Sequence, residues 1–592
     1  MTEAEPRWFG PEDRALFGWV HLPDAPVARG AVVLCASMGQ EGSFTHWTMR
    51  QVANRLADLG FVAVRFDYDG VGDSVGHHED PARVRAWLDS IHAAADLARA
   101  HTTAPLSFLG MRLGCLLAVG AAAERDDVHG LALWDSPRSG ASYIREQRVR
   151  QNTSVGGADP ELATFTALGL NLTAETREDL SAFNLRSLDQ VPADLVLVAD
   201  RPRVHALSKT ATTRSGSPVE RVEAPDQDEF LVYQTLPVAT EDAVVSWFDR
   251  VHPAGAGDSG LHPVVADGGG PRRTTLTVPG GRERLVRVGE QRLFGIVTEP
   301  DHPRTSTSIV FVPDAFTPHS GLSRIWTETA RAWCATGRHT LRFDLSGCGD
   351  SEARPGHEGH RVKILEHIDE VEDAVRFVSP EDPRDVVLIG LCSGAYHCLE
   401  SALDLAPRGI ALINPVLAFP SDEVPVSPRR QAIQLTRPMF SKPFGKLAGR
   451  IAWALSPRYR NDPTFQWDRM LEACFWQRSA NHQLSWVPEW LWTIVNWILI
   501  AQRPEQLMRR VVRGGTAVLW IGGGADWTNA TLGSHRALAR LARRAPLRLM
   551  PVPDLDHAMM RPGARERVVA AFTQFVEEQA APPPVGQARS QL

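Results

Sequence analysis

The sequence lacks the cysteine spacing that would indicate a disulfide framework or a metal centre. Its seven cysteines are scattered at positions 35, 115, 334, 348, 392, 398 and 474, and no two of them form a Cys-x-x-Cys pair. An odd number of dispersed cysteines is typical of a reducing compartment rather than of a secreted scaffold. We therefore predict free thiols, no bound metal and no cofactor.

No segment has the features of a membrane span or of a secretory signal. The most apolar stretch, residues 486–501, is short for a bilayer and is interrupted by Pro488, Glu489 and Asn496. The first residues, MTEAEPRWFGPEDR, contain no basic segment followed by an apolar run. A net charge of −7 provides no chain-wide positive surface for nucleic acid. We expect a cytoplasmic protein that binds neither membranes nor nucleic acid.

A long internal repeat is the main organising feature that the sequence does contain. RFDYDGVGDS at residues 65–74 recurs as RFDLSGCGDS at residues 342–351, an offset of 277. GMRLG at residues 110–114 corresponds to GLCSG at residues 390–394, an offset of 280. Nearly constant offsets in separate segments indicate a duplication that produced two similar domains.

The repeat divides the chain, whose 592 residues exceed what a single core usually supports. We predict one domain at residues 1–251 and a second at 291–580. The Gly-, Pro- and Arg-rich segment 252–290 is expected to be a linker, part of which could begin the second domain, and residues 581–592 a disordered tail.

Short β-branched runs alternate with helical patterns in each copy. The second copy contains IVFVPD, TLRFDL, DVVLIG, IALINP and TAVLWIGG. Apolar runs of this length, separated by helices, predict a mostly parallel sheet that is covered on both faces.

The strand DVVLIG runs directly into a Gly-x-Cys-x-Gly turn and then into a helical segment. Strand, turn and helix in this order are the context of a nucleophile elbow, which is crowded enough to need small residues beside the nucleophile. Gly390 and Gly394 provide that space, so we predict that Cys392 is the nucleophile. The alternative is a small buried cysteine in a glycine-rich turn.

The remaining catalytic groups follow from chain order. The acid is predicted at Asp526, in GGAD after one strand, and the general base at His557, in DLDH after the next. Asp554 and Asp556 are neighbours that leave the choice of acid open. The backbone N–H of Ser393 is a candidate oxyanion donor, and Ala315 or Phe316 is expected to supply a second.

The first copy has lost this chemistry. Its elbow position is Arg112, which cannot act as a nucleophile, and alignment of the late loops puts Glu229 where the histidine should be. Asp200 follows a strand, but an acid alone is insufficient. Ser37 and Cys115 are the only nearby nucleophile candidates, and neither has an obvious base. We predict a structural or recognition domain.

A long insertion in the second copy, at about residues 416–515, is expected to form a helical lid over the nucleophile. Seven of the 17 tryptophans of the chain occur there, which favours an apolar chamber for a large substrate; packing between lid helices is the alternative. The segment 429–460 has eight Lys or Arg residues and no acid. It is either a docking patch for an acidic carrier protein or a solvated face. The predicted substrate contacts are Trp453, Trp476, Trp490 and Trp497.

The order GLCSG, GGAD and DLDH, with a tryptophan-rich insertion, resembles the thioesterase-like Dieckmann cyclases that off-load polyketide–peptide hybrids as tetramates or pyridones. The resemblance covers most of the second copy, whereas the first matches only the general scaffold. It implies two tandem α/β-hydrolase domains. It also implies that Cys392 takes a β-ketoaminoacyl chain from a peptidyl carrier protein and that a heterocycle closes by C–C bond formation.

Other functions remain open at this stage. A cysteine forms an acyl thioester, which suits acyl transfer or cyclisation more than plain hydrolysis. A cysteine-dependent thioesterase or acyltransferase is the nearest alternative. A non-catalytic binding protein is the alternative of another class, in which replacing Cys392 would leave function intact.

Overall fold

The computed structural model describes residues 4–154, 165–167, 169–202, 204–227, 236–252, 262–268, 271–314, 317–355, 366–415, 504–523 and 535–580. The chain divides into two compact units. The first comprises Met1–Val278, Arg282–Leu285 and Phe316–Glu328. The second comprises Pro279–Gly281, Val286–Ala315 and Thr329–Leu592.

Twelve strands occur among the described residues of the first half. They are β1 (Glu5–Phe9), β2 (Leu16–His21), β3 (Gly30–Cys35), β4 (Phe61–Phe66), β5 (Leu106–Met111), β6 (Val128–Trp134), β7 (Phe165–Ala167), β8 (Leu170–Leu172), β9 (Gln190–Val191), β10 (Leu195–Asp200), β11 (Thr212–Thr213) and β12 (Glu220–Glu223). Eight form one sheet in the order β1-β2-β4-β3-β5-β6-β10-β12. The pairs β1/β2 and β2/β4 are antiparallel, and the remaining neighbours are parallel.

Helices lie between the parallel strands of this sheet or follow the last of them. They are α1 (Gly39–Asp58), α2 (Arg83–His101), α3 (Leu113–Ala123), α4 (Gly140–Ser154), α5 (Ala174–Ser181) and α6 (Val238–Val251), with a 3-10 turn at Leu185–Ser187. Alternate residues of β3 enter different cores: Val33 packs in one apolar cluster and Val32 in another. Because successive side chains of a strand point to opposite faces, this pattern shows that both faces are covered.

The second half contains a larger sheet of the same design. Its strands are β13 (Thr275–Val278), β14 (Gly281–Val288), β15 (Leu293–Pro300), β16 (Ser308–Val312), β17 (His339–Phe343), β18 (Val386–Leu391), β19 (Gly409–Ile413), β20 (Ala517–Gly523) and β21 (Leu547–Val552). They form a nine-stranded sheet in the order β13-β14-β15-β17-β16-β18-β19-β20-β21. From β17 onward the neighbouring strands are parallel.

The helices of the second half are α7 (Ile325–Cys334), α8 (Glu366–Val378), α9 (Ser393–Leu405), α10 (Pro504–Arg513), α11 (His535–Ala542) and α12 (Pro562–Ala580), with 3-10 turns at Leu322–Arg324 and Pro383–Asp385. In the part of the chain that the structure describes, no helix has both the length and the apolar character needed to cross a bilayer.

The sequence repeat is also a repeat of hydrogen bonds. Gly18 pairs with Phe66 in the first sheet, and Gly295 pairs with Phe343 in the second. The Ser74 hydroxyl accepts the N–H of Phe17 at 2.9 Å, and the Ser351 hydroxyl accepts the N–H of Phe294 at 2.9 Å. The repeated motif therefore builds the same strand pair and the same loop twice.

The predicted linker at residues 252–290 is not irregular throughout, because its last third forms β13 and β14. In β13 the exposed Thr275 and Thr277 alternate with the buried Leu276 and Val278. The many glycines and arginines around these strands hid this period-two pattern in the sequence.

Candidate active site

The second domain carries Cys392 at a sharp turn between β18 and α9. The residue has φ 56° and ψ −117°, a conformation that residues other than glycine rarely adopt. A Cβ on Gly390 would lie 2.5 Å from the backbone of Gly394, and one on Gly394 would lie 2.4 Å from the Val312 carbonyl. The turn therefore excludes a side chain at positions 390 and 394, on either side of the partly buried Cys392, as a nucleophile elbow requires.

One predicted oxyanion donor, the backbone N–H of Ser393, lies at this turn. Ser393 begins α9, where backbone N–H groups have no acceptor within the helix and where the helix dipole favours negative charge. A Cβ on Gly394 would approach the Pro313 carbonyl to 2.7 Å, so the loop after β16 starts beside the elbow. Ala315 and Phe316, the second predicted donors, lie outside the described residues.

His557 lies in the loop that follows β21, and the structure assigns different roles to the two neighbouring aspartates. The buried Asp556 carboxylate accepts the backbone N–H groups of Ala558, Met560 and Arg561 at 2.9–3.1 Å, so it shapes the loop. Asp554 is half-exposed and pairs with Arg567, whose hydrogen bond lowers the pKa of Asp554. The two carboxylates are thus engaged by backbone N–H groups and by Arg567, and Asp526 stays the predicted acid.

Asn414 connects the elbow, the end of β20 and the histidine loop. This buried residue follows β19, and its Nδ2 donates to the carbonyls of Asp556 and His557 at 2.9 and 3.0 Å. Its Oδ1 accepts the N–H of Gly523 at 2.9 Å. The preceding carbonyl, that of Ile413, accepts the N–H of Cys392 at 3.0 Å. Asn414 thus ties the end of β20 and the histidine loop to the strand end beside the elbow.

Several predicted site residues cannot be placed. Asp526 lies outside the described residues, although Gly523, three residues before it, is packed so closely on Leu555 that a Cβ there would lie 2.1 Å from the Leu555 carbonyl. The end of β20, which precedes Asp526 in the sequence, therefore packs against the histidine loop. Most of the predicted lid also lies outside the described residues, including Trp453, Trp476, Trp490 and Trp497.

The first domain retains the elbow backbone although its nucleophile position is an arginine. Arg112 has φ 53° and ψ −119°, and its N–H donates to the Trp134 carbonyl at 3.0 Å. A Cβ on Gly114 would lie 2.0 Å from the Cys35 carbonyl, so the glycine is as tightly enclosed as its counterpart Gly394. The turn has therefore kept its geometry after losing its nucleophile.

Three carboxylates surround the Arg112 guanidinium, which is fully buried. It contacts Glu41 at 3.0 Å, Asp135 at 3.2 Å and Glu146 at 2.9 Å. These acids come from α1, from the end of β6 and from α4. The space beside the elbow, where a substrate acyl group would lie in an active hydrolase, is occupied by these charged side chains.

Two further arginines complete this group, which we call the elbow ion cluster. Arg150 contacts Glu41 at 3.0 Å and Glu146 at 2.9 Å, and Arg201 contacts Asp135 at 2.8 Å. The cluster comprises Arg112, Arg150, Arg201, Glu41, Asp135 and Glu146. Since three cations face three anions, the buried charges compensate one another.

The ionisation of the cluster follows from this pairing. Burial opposes the charge on Arg112, but Glu41, Asp135 and Glu146 outweigh it and raise the pKa of Arg112 well above its ordinary value. Burial likewise opposes ionisation of Glu146, but the charges of Arg112 and Arg150 lower its pKa. Sequence reasoning identified Arg112 but missed its partners, because two of them lie on helices distant in the sequence.

The other candidates of the first domain cannot replace the lost chemistry. Cys115 is fully buried, which raises the pKa of its thiol, and the buried Ser37 hydroxyl donates to the Met111 carbonyl at 3.2 Å. Burial also raises the pKa of Asp200 to about 6. By its place in the sheet Asp200 corresponds to Gly522, four residues before the predicted acid of the second domain. Glu229 lies outside the described residues.

His77, His78 and Glu328 form the clearest candidate metal-binding group of the first unit, with one possible ligand atom each, all within 4.8 Å of one another. The two imidazole rings are stacked at 4.2 Å, and Glu328 lies 3.4 Å from His77 and 4.0 Å from Arg324. The hydrogen bond to Glu328 raises the pKa of His77. This arrangement favours an ion pair over a metal site.

Comparison with known proteins identifies the fold of both halves. Residues 309–571 match the model described as alpha/beta hydrolase family, and residues 26–148 match that described as serine aminopeptidase, S33. No curated relative matches the chain by sequence. The two matched segments place an α/β-hydrolase fold in each half of the chain.

Solved structures of several proteins are similar to parts of the chain. DcsB, solved in complex with its substrate analogue, is 15% identical; the match covers 51% of this chain and 99% of that one, with a TM-score of 0.30. An alpha/beta hydrolase from Penicillium, GrgF, is 14% identical, with 50% and 98% covered and a TM-score of 0.31. A dienelactone hydrolase from Anabaena variabilis is 14% identical, with 51% and 100% covered and a TM-score of 0.29.

Proposed function

Since the chain consists of two tandem α/β-hydrolase domains, we propose that the second is an acyl-transfer enzyme with Cys392 as its nucleophile. The observation that carries the proposal is the elbow, where a strained backbone and two glycines without space for a Cβ present a single thiol at a helix start. Strain of this kind persists where the surrounding structure imposes it, often at functional sites.

In the proposed first half-reaction, His557 accepts the proton of the Cys392 thiol. The thiolate attacks the carbonyl of an acyl thioester, and the N–H of Ser393 stabilises the oxyanion of the tetrahedral intermediate. The intermediate expels the thiolate of the donor, which takes the proton from His557. The products are an acyl-Cys392 thioester and a free thiol.

In the proposed second half-reaction, the enzyme acts as a Dieckmann cyclase. A base removes a proton from the methylene between the ketone and the amide of a β-ketoaminoacyl chain. The resulting carbanion attacks the acyl-Cys392 carbonyl, a C–C bond forms and the Cys392 thiolate leaves. The released product is a tetramate-type ring, and the thiolate recovers a proton. A peptidyl carrier protein is the proposed donor of the chain.

The test uses a β-ketoaminoacyl N-acetylcysteamine thioester and intact-mass spectrometry. The wild-type protein should gain the mass of the acyl group and release a cyclic product, whereas Cys392→Ala should give neither. Cys398→Ala is the matched control, because Cys398 lies in the same helix but is fully buried. His557→Ala should slow acylation by roughly a hundredfold or more.

The outcomes separate the competing functions. An adduct that is followed only by the linear acid would show a thioesterase and overturn cyclisation. An adduct on Cys392→Ala, or no adduct on the wild-type protein, would overturn the cysteine acyl-enzyme itself.

A further inference from the structure

An arginine-lined cavity lies in the second domain, apart from the elbow. It has a volume of about 550 Å³ and is formed by α10, α11 and the turn that follows α11. Its charged lining residues are all arginines, namely Arg509, Arg513, Arg540, Arg543 and Arg544. The volume is in the range of small-molecule sites.

The positive charge of this cavity is concentrated and largely uncompensated. Residues 504–548 contain eight arginines and only two acids, in a chain whose net charge is −7. Among the described residues, Arg513, Arg540 and Arg544 form no ion pair with a carboxylate, whereas the nearby Arg548 contacts Glu578 at 2.7 Å. The cavity therefore offers guanidinium donors to an external anion.

The position of the cavity separates it from the proposed reaction. Arg513 precedes β20 and Pro546 directly precedes β21, so the cavity lies at the amino ends of these strands. Cys392 and His557 follow the carboxyl ends of β18 and β21. A strand of six residues spans roughly 20 Å, so a ligand that fits within the cavity cannot reach both edges of the sheet.

We propose that this cavity binds a small molecule that carries two or more phosphate groups. Several guanidinium groups around one concavity match phosphate oxygens, which they bind through paired hydrogen bonds. Val512, Leu541 and Pro546 add an apolar wall for a less polar part of the ligand. The site is distinct from the acyl-transfer site and does not depend on it.

The test is isothermal titration calorimetry of the full-length protein with inorganic tripolyphosphate. The wild-type protein should bind, and more weakly as salt increases. Arg513→Glu/Arg540→Glu should reduce affinity by about tenfold or more, because charge-assisted hydrogen bonds are lost. Arg513→Gln/Arg540→Gln should reduce it less, since charge is removed but not reversed.

Arg510→Glu is the matched control, because Arg510 is exposed on α10 but does not line the cavity. Its affinity should stay within about threefold of wild type, as expected for a charge outside the contact. The proposal would be overturned if Arg510→Glu lost as much affinity as Arg513→Glu/Arg540→Glu, or if the wild-type protein did not bind tripolyphosphate. Binding of a polyglutamate peptide without binding of tripolyphosphate would also overturn it and assign the surface to an acidic protein.

Discussion

The two elbows of this chain have the same backbone conformation but different side chains at the central position. Arg112 and Cys392 have nearly the same φ and ψ, and each N–H donates to a strand carbonyl at 3.0 Å. One side chain is a thiol, whereas the other is fixed by three carboxylates. The comparison shows that the elbow geometry does not depend on which side chain occupies the central position.

The position after the neighbouring strand differs in a related way. Asp135 and Asn414 both have positive φ, and their N–H groups donate to the carbonyls of Ala199 and Ile521 at 2.8 and 2.9 Å. The Asp135 carboxylate pairs with Arg112, whereas the Asn414 amide holds the histidine loop. A carboxylate compensates a buried cation in one domain, and an uncharged amide connects loops in the other.

The largest predicted effect is on the stability of the first domain. Arg112→Met should lower its free energy of unfolding by about 3–5 kcal/mol, because the buried Glu41 and Asp135 and the partly buried Glu146 lose the cation that they share. Denaturant unfolding, with hydrogen exchange to resolve the two domains, measures the change. Arg85→Met is the control: Arg85 pairs with Asp89 and Glu124 on the surface, so its loss should cost less than about 1 kcal/mol. A decrease of less than about 1 kcal/mol in the free energy of unfolding for Arg112→Met would contradict a stabilising role of Arg112 in the elbow ion cluster.

The next effect tests whether the two turns are equally constrained. Gly114→Ala and Gly394→Ala should each destabilise their own domain by about 1–3 kcal/mol, since each Cβ would collide with a backbone carbonyl. Gly563→Ala is the control, because the nearest atom to its Cβ would be an arginine nitrogen at 3.7 Å. Thermal unfolding measures all three. If Gly114→Ala left the thermal stability unchanged while Gly394→Ala lowered it, the turn of the first domain would be less constrained than that of the second.

A third prediction concerns pH. Burial raises the pKa of Asp200 from 3.8 to about 6, so the folded state favours the protonated acid. That contribution to stability is complete below pH 4 and is lost as the pH rises through 6. The free energy of unfolding of Asp200→Asn, relative to that of the wild-type protein, should therefore increase by about 2 kcal/mol between pH 4 and 8.

Asp127 in the same domain supplies a control of opposite sign. Its hydrogen bond with Arg125 lowers the pKa of Asp127 to about 2, so its contribution is present at neutral pH and is lost in acid. Asp127→Asn should therefore be less stable than the wild-type protein at pH 7 and approach it near pH 2. If unfolding curves show Asp200→Asn following the wild-type pH dependence, Asp200 is not the buried acid described above.

The smallest effect is kinetic and concerns Asn414 as a positioning residue. Asn414→Asp removes both donors to the histidine loop, so acylation of Cys392 should slow by about tenfold. The KM for the thioester should be unchanged and the pH profile displaced, which a purely structural role would not produce. Asp135→Asn in the first domain is the counterpart and should leave the acylation rate unaltered. Equal slowing by both variants would show that Asn414 has no particular role in positioning the histidine loop.

The parts of the fold that were predictable are those with local steric causes. A strand and a helix joined by Gly390-x-Cys392-x-Gly394 indicate a nucleophile elbow. The repeated RFD and GDS segments build one strand pair and one loop in each domain. The α/β-hydrolase fold of both halves was predicted in this way and is confirmed. Cys392, Asp526 and His557 stay predictions as a catalytic set.

The elbow ion cluster could not be predicted, because Glu41 and Glu146 meet Arg112 only through the packing of two helices distant in sequence. Asn414 was missed although a signal existed. It ends the strand IALIN at the place where Asp135 ends GLALWD, and a polar residue there in both copies was visible in the repeat. Loops that gather at one edge of a parallel sheet need such a residue for their backbone groups.

The elbow ion cluster also constrains the evolutionary history of the chain. A mutation that replaced Arg112 by a nucleophile would leave Glu41, Asp135 and Glu146 with only two arginines, Arg150 and Arg201, to balance their charge, so a single replacement is opposed by the excess negative charge. Recovery of a second reactive centre would require several simultaneous replacements. The difference between the two elbow positions is thereby hard to reverse, even though the first turn has the same backbone conformation as the second.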